Sequence, residues 1–218
     1  MVSTTVMSAM DPTDNDLLGR WRGGDTASGE TLFERHYDTL ARFFRNKVSN
    51  AVPDLVQETF TRCVESRLQI KEDFRLYVFG IAYHVLIEHF RKHKRDGHPL
   101  DVDDSSMQDL DPKPGPCTLA AKQREDRMLL EALRSIPVRD QVILELYFWE
   151  DLTADDIARV LSIPFGTARG RLKRARNQLG EVMRRLSESP QDLKSTVARL
   201  EDWARECLKH LDGCAAPK

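Results

Sequence analysis

"TADDIARVLSIPFGTARGRLKRARNQL", residues 153–179, decides the fold. Thr153 stands directly before an acid-rich first turn and an apolar run, the signature of a helix N-cap, so a short helix is predicted over 153–161. Ser162 and Ile163 make a tight turn. Pro164 opens a second helix over 164–179, where a proline in the first turn loses no needed hydrogen bond. Within it Ala168, Leu172, Ala175 and Leu179 recur on one face. Arg169, Arg171, Lys173, Arg174 and Arg176 fill the remainder. A short helix, a short turn and a basic helix form the helix-turn-helix pattern, whose second helix is sized for the major groove. Arginine and lysine there supply phosphate and guanine contacts, and the small Gly170 lets the backbone approach. The candidate duplex-contacting residues are therefore Thr167, Arg169, Gly170, Arg171, Lys173 and Arg174. The competing reading is a solvated basic helix in an ordinary bundle.

Upstream of this unit, "MLLEALRSIP" (128–137) reads as an apolar helix stopped by Pro137, and "RDQVILELYFWED" (139–151) as a second, very apolar one. Residues 17–46 place Leu17, Leu18 and Trp21, then Leu32, Phe33, Tyr37, Leu40, Phe43 and Phe44, at helical spacing, with a break at Gly23–Gly24. Residues 52–66 form another helix. Residues 74–95 form a longer one, with Phe74, Val78, Ile81 and Val85 on one stripe. No alternating strand and no internal repeat is present, so the chain is expected to be all-α.

Charge divides the chain. "RKHKR" (91–95) and "RGRLKRAR" (169–176) are strongly basic. Between them "DGHPLDVDDSSMQDLDPKPGP" carries Asp96, Asp101, Asp103, Asp104, Asp109 and Asp111 against Lys113. Two basic modules separated by an acidic, Pro/Gly-containing segment imply two helical domains on a flexible tether. The expected layout is a free N-terminus (1–13), a first domain (14–95), a linker (96–117), a helix-turn-helix domain (118–185) and an extension (186–218). In the extension Leu193, Val197, Leu200, Ala204, Leu208 and Leu211 make the stripe of a C-terminal amphipathic helix. Cys207, His210 and Cys214 lie along its flank. Without a fourth ligand they read as incidental rather than as a metal site.

The bulk numbers exclude several classes. The chain has 218 residues, 40% hydrophobic and 31% charged, with a net charge of −2. No apolar run approaches a membrane span of about 20 residues, and no secretory signal opens the sequence. Four cysteines, widely scattered, do not make a disulfide framework, which fits a reducing cytoplasm. No phosphate-cradling glycine loop, nucleophile–base arrangement or metal-ligand spacing marks an enzyme or calls for a cofactor.

These motifs, in this order and with this linker, resemble bacterial RNA polymerase sigma factors of the extracytoplasmic-function group. "LTADDIARVLS" with "IPFGTARGRLKRARNQL" looks like that group's second domain. "DLVQETF" and "FRLYVFGIAYHVLIEHFRK" look like its first, and the likeness spans roughly residues 14–185. The resemblance implies a non-catalytic subunit that joins core RNA polymerase through its clamp and flap. It would recognise a two-part promoter and help to melt it. The helix at 164–179 would read the minus-thirty-five element. The 74–95 helix would hold the minus-ten element, with Tyr77, Tyr83, His84, Arg91 and Lys92 as candidates, since aromatics beside cations suit single-stranded DNA. The loop at 68–73 would take a flipped base. The family usually carries tryptophan at Tyr77 and asparagine at His84. An anti-sigma factor is a further partner the resemblance allows. The alternative is a stand-alone helix-turn-helix regulator binding duplex DNA.

The helix at "SNAVPDLVQETFTRCVES" (49–66) departs further. On a helical wheel Val52, Val56, Thr59, Phe60 and Cys63 share one side, and Asp54, Gln57, Glu58, Thr61 and Glu65 the other. Cys63, in mid-stripe, reads as a buried small hydrophobe. By resemblance Asp54, Gln57 and Glu58 meet the polymerase clamp. The family's acidic tetrad, Asp-Ala-Glu-Asp, is here Ala51-Val52-Pro53-Asp54. A subgroup with such a neutralised motif is activated by a serine/threonine kinase. Phosphorylation would add about −1.5 to −2 charge, and Ser49, Thr59 and Thr61 offer hydroxyls. The resemblance favours Thr59; the wheel favours Thr61.

Overall fold

The computed structural model describes residues 11–48, 50–71, 73–93 and 124–186. The acidic linker and the C-terminal extension, with Cys207, His210 and Cys214, lie outside the described residues. Within them every element is helical: α1 (Asp14–Arg22), α2 (Thr26–Arg45), α3 (Val52–Glu65), α4 (Phe74–His93), α5 (Arg124–Arg134), α6 (Val138–Phe148), α7 (Ala154–Val160) and α8 (Phe165–Leu186), with a 3₁₀ turn at Arg67–Gln69.

Helices α1–α4 make the first module. Two of its starts are fixed by local chemistry. Thr13 caps α1 in a capping box with Asp16, and Asp25 caps α2 through the Ala27 and Ser28 amides. Between them, at the break predicted for Gly23–Gly24, Gly24 adopts the left-handed φ of +102°. Gly29 is demanded by packing. A Cβ there would stand 2.5 Å from the Trp21 indole nitrogen, so only glycine lets α2 lie this close to α1. Around that approach Trp21 meets Phe33 edge-on at 5.3 Å, and Phe33 stacks on Phe60 at 4.4 Å. The stripe predicted for 17–46 is buried except at Phe33, which is partly buried, and Tyr37, which is 47% exposed. His36 turns inward instead, because the Asp14 carboxylate accepts from its Nε2 at 2.7 Å and satisfies the buried ring.

Helices α5–α8 make the second module. α6 is buried on almost every side, the pattern of a helix enclosed by others. Its inward Gln141 satisfies itself by donating to the Ile136 carbonyl at 2.8 Å. Thr153 caps α7 in a box with Asp156, as the sequence predicted. The turn between α7 and α8 closes with Ser162 N–H on the Arg159 carbonyl and Ile163 N–H on the Ala158 carbonyl. This is a Schellman closure with Ser162, not glycine, in the left-handed conformation (φ 52°). Pro164 stands just before the first helical residue, Phe165, rather than inside the first turn. Its carbonyl accepts from Ala168, so it still launches α8. α8 runs on to Leu186, seven residues past the stretch quoted above, because Met183 continues the buried stripe of Ala168, Leu172, Ala175 and Leu179.

The modules touch. α4 is flanked by α3 on one side and by α7 on another. Its buried residues include Leu76, Phe79, Leu86 and Phe90 as well as the predicted Phe74, Val78 and Val85, so it carries more than one apolar stripe. α7 comes close to α4 at Gly80, where a Cβ would lie 3.4 Å from the Val160 carbonyl, an ordinary contact distance. One continuous buried cluster runs from Leu17 to Met183.

Candidate promoter and polymerase interfaces

The second module presents its basic face on α8. Burial of Ala168, Leu172 and Ala175 turns Thr167, Arg169, Gly170, Lys173 and Arg174 outward, with Arg171 half-buried. All six candidates thus share the outer side of one helix, and Gly166 and Gly170 have open space where a side chain would stand. Thr167, Gly170, Arg171 and Arg174 follow the i, i+3, i+4, i+7 line of a single ridge. Phe165, 50% exposed at the head of the helix, joins this surface and was not singled out from sequence. Arg139, at the start of α6, also lies here. Burial raises the Asp140 carboxyl above its usual range, while Arg174, Arg171 and Arg139 pull it back down. A partly buried acid, Asp140, thus lies among the cations of this face.

On α4 the five minus-ten candidates separate into two groups. At 100° per residue, Tyr77, His84 and Arg91 fall within one narrow sector, with Lys92 beside it. His84, Arg91 and Lys92 are exposed. The Tyr77 ring is half-buried and its hydroxyl donates to Ser66 Oγ at 2.7 Å, which ties α4 to the end of α3. Tyr83 points elsewhere, towards the second module. Burial pushes its phenol up from the ordinary value, against the opposing effect of Arg139, Arg171 and Arg91. The loop proposed for a flipped base holds Leu68, 69% exposed, beside the fully buried Ile70.

On α3 the polar face is as the wheel placed it: Asp54, Gln57, Glu58 and Thr61 are exposed. Leu55, assigned to neither side, is buried with Val56, Thr59 and Cys63. Burial pushes the Cys63 thiol up to about 12, which keeps it a protonated core residue. The helix start lacks a side-chain cap. Its N-cap is Ala51, which offers no side-chain hydrogen bond, and Pro53 occupies the first turn. The position where the sigma-factor tetrad begins with aspartate is thus the N-cap itself. By that resemblance, Ala51 offers neither a side-chain acceptor nor a charge at this position. Glu58 is partly engaged by Arg62 at 2.8 Å, and Arg62 also grips Glu88 of α4 through two bonds of 3.1 and 2.7 Å. This fork–fork pair lowers the Glu88 carboxyl below its ordinary value. The two candidate hydroxyls differ sharply. Thr59 has no exposed surface and donates to the Leu55 carbonyl at 2.7 Å; Thr61 is exposed and donates to the Gln57 carbonyl at 2.9 Å.

Residues 32–96 match the family model for Sigma-70 region 2, and residues 126–179 that for Sigma-70, region 4. The RNA polymerase sigma factor HrpL of Pseudomonas syringae pv. syringae is 30% identical over 144 residues, which cover 64% of this chain and 78% of HrpL. The chain belongs to the sigma-70 family of RNA polymerase sigma factors. Similarity to the ECF RNA polymerase sigma-E factors of Haemophilus influenzae (25% over 180 residues) and Escherichia coli K12 (26% over 178 residues) supports the extracytoplasmic-function group. These matches cover 77% of this chain and 93% and 92% of theirs. Among solved structures, CnrH in complex with the cytosolic domain of CnrY shares the fold, with a TM-score of 0.59 at 19% identity, over 80% of this chain and 99% of that one. As a sigma factor the chain works with core RNA polymerase and promoter DNA in transcription initiation. The match to region 2 disfavours a stand-alone helix-turn-helix regulator. Among the described residues no helix is long and apolar enough to cross a membrane.

Proposed function

We propose that this sigma factor docks on the polymerase clamp through the exposed face of α3, with Asp54, Gln57 and Glu58 as contacts. It reads the minus-thirty-five element through Thr167, Arg169, Gly170, Arg171, Lys173 and Arg174 of α8. It holds the minus-ten strand with Tyr77, Tyr83, His84, Arg91 and Lys92 of α4. Phosphorylation of Thr61 by a serine/threonine kinase strengthens the clamp contact. The observation that carries the regulatory part is the undercharged start of α3: no cap at Ala51, a proline at 53, and Asp54 the remaining acid of the first turn. A phosphate on Thr61 would sit on the exposed face and restore roughly the two negative charges that Ala51 and Pro53 lack. A phosphate on Thr59 would have to enter the core, at the desolvation cost of a buried charge. Ser49 lies outside the described residues.

The experiment is a pull-down of core RNA polymerase by unmodified wild type, kinase-treated wild type, Thr59→Ala, Thr61→Ala and Pro53→Glu. The expected order has unmodified wild type weak and Pro53→Glu strong. Kinase treatment strengthens wild type and Thr59→Ala but not Thr61→Ala. Strong binding by unmodified wild type would end the switching proposal.

A further inference from the structure

A single exposed apolar side chain carries little meaning by itself; its position gives it weight. Phe165 is 50% exposed and is the first residue of α8. The core does not enclose it. The buried stripe of α8 begins at Ala168 and runs through Leu172, Ala175, Leu179 and Met183. Nor is it a residue that starts helices. Polar caps and acids do that, and α1 and α7 open in that way, with Thr13 paired to Asp16 and Thr153 to Asp156. The first turn of α8 holds no acid and begins Phe165-Gly166-Thr167.

Phe165 heads a line of its own. Arg169 and Lys173 follow at i+4 and i+8, and both are exposed. This line runs beside the ridge of Thr167, Gly170, Arg171 and Arg174. Between the two heads lies Gly166, with open space where a Cβ would stand. With Ala168 buried, the ring and Thr167 are the side chains that the start of α8 offers to a groove. In a helix-turn-helix the N-terminal residues of the second helix meet base edges. A phenyl ring donates and accepts no conventional hydrogen bond. Set against a phosphate, or against a donor or acceptor on a base edge, it would take that group out of water and leave it unsatisfied. The major groove shows one apolar group, the C5-methyl of thymine.

We propose that Phe165 is a specificity-determining residue that reads a thymine in the upstream promoter element by covering its methyl group. The inference rests on the reading of α8 as the helix that enters the minus-thirty-five duplex. It adds an apolar determinant to a face that otherwise reads by charge and hydrogen bonds. Cytosine at the same place would lack the methyl and present its N4 donor to the ring, so the contact discriminates between the two pyrimidines.

The test uses the full-length chain assembled with core RNA polymerase. The wild-type holoenzyme first enriches duplexes from a library with a randomised upstream element. Each thymine of the enriched element is then replaced in turn by uracil, which removes the methyl and leaves the pairing edge intact. At one thymine the wild type should lose about fourfold in affinity, the worth of one buried methyl group. Phe165→Ala should bind the thymine and uracil duplexes equally at that position, about fourfold more weakly than wild type binds thymine, and should keep the wild-type preferences elsewhere. The wild-type scan needs no variant: if no position responds to loss of the methyl, the proposal is overturned. It is overturned equally if Phe165→Ala keeps the methyl sensitivity, or if Thr167→Ser, which deletes the other methyl of the first turn, abolishes it instead. Weaker capture of core polymerase by Phe165→Ala in the absence of DNA would place the ring against polymerase and also overturn it. Failure of the underlying reading looks different: the selection would enrich no upstream element, and Arg174→Ala would bind every duplex as wild type does.

Discussion

The outward face of α8 and the outward face of α3 are both polar sides of amphipathic helices, yet they are finished to different degrees. α8 carries Arg169, Lys173 and Arg174 exposed, with Asp140 as a partly buried acid nearby. It needs nothing added to attract a phosphate backbone. α3 is short of charge. Ala51 and Pro53 stand where acids would cap and charge its first turn, and Glu58 is shared with Arg62. A face that is complete in the chain suits constant recognition of DNA. A face left incomplete suits a contact whose strength is set afterwards.

The sharpest way to break the comparison is on α8. Arg174→Ala should weaken duplex binding by about 1–3 kcal/mol if the side chain reads a base edge, and should relax specificity at one position. If instead it meets a phosphate, affinity should fall uniformly and the salt slope should drop by about 1. Anisotropy titrations at several salt concentrations separate these outcomes. No change in affinity or slope would show that the basic face is merely solvated.

On α3 the same comparison predicts a gain. Ala51→Asp supplies the missing N-cap and one missing charge. It should stabilise the first module by about 0.5–2 kcal/mol, seen in chemical denaturation, and raise polymerase affinity. A gain in stability without a gain in affinity would divorce the cap from the clamp.

Much of this was legible in sequence because it rests on local chemistry. Thr153 before two acids announces a cap, and the Ala168–Leu172–Ala175–Leu179 spacing announces the buried side of α8, from which its exposed side follows. The helix-turn-helix needed nothing beyond such short-range signals. The wheel likewise separated Thr59 from Thr61 correctly as buried and exposed. What sequence did not show depends on partners far along the chain. Tyr37 fits the α2 stripe by spacing, but Asp14, 22 residues upstream of His36, gives that histidine a reason to turn inward. The second apolar stripe of α4 answers to α7, which packs against it. Lys47 and Glu145, separated by 98 positions, look like ordinary surface charges until the fold buries them together. No periodicity reports a pairing between modules.

Two smaller tests sharpen the picture of how each face is supported. Ser162→Gly relieves the left-handed backbone at the turn before α8 and should stabilise the second module by about 1 kcal/mol, read as a rise in Tm. A fall in Tm would mean that the serine side chain matters more than its backbone. The Arg62–Glu88 bridge steadies α3 against α4. Because Glu88 is held below its ordinary carboxyl value, its contribution is present above about pH 4.5 and is lost as pH falls through the folded value. With the Glu88 side chain 42% exposed, solvent limits the effect to about 0.2–1 kcal/mol. Glu88→Gln should therefore flatten the acid limb of the stability profile slightly. An unchanged acid limb would leave the bridge without energetic weight.

The central claim is that α3 sets how strongly this sigma factor engages polymerase. The direct measurement is promoter-specific run-off transcription by core RNA polymerase with three forms of the chain: unmodified wild type, kinase-treated wild type, and Ala51→Asp/Pro53→Glu. The expected result is weak transcription from the first and strong transcription from the other two, all starting at the same site. Equal transcription from all three forms, or no promoter-specific product from any of them, would contradict the account.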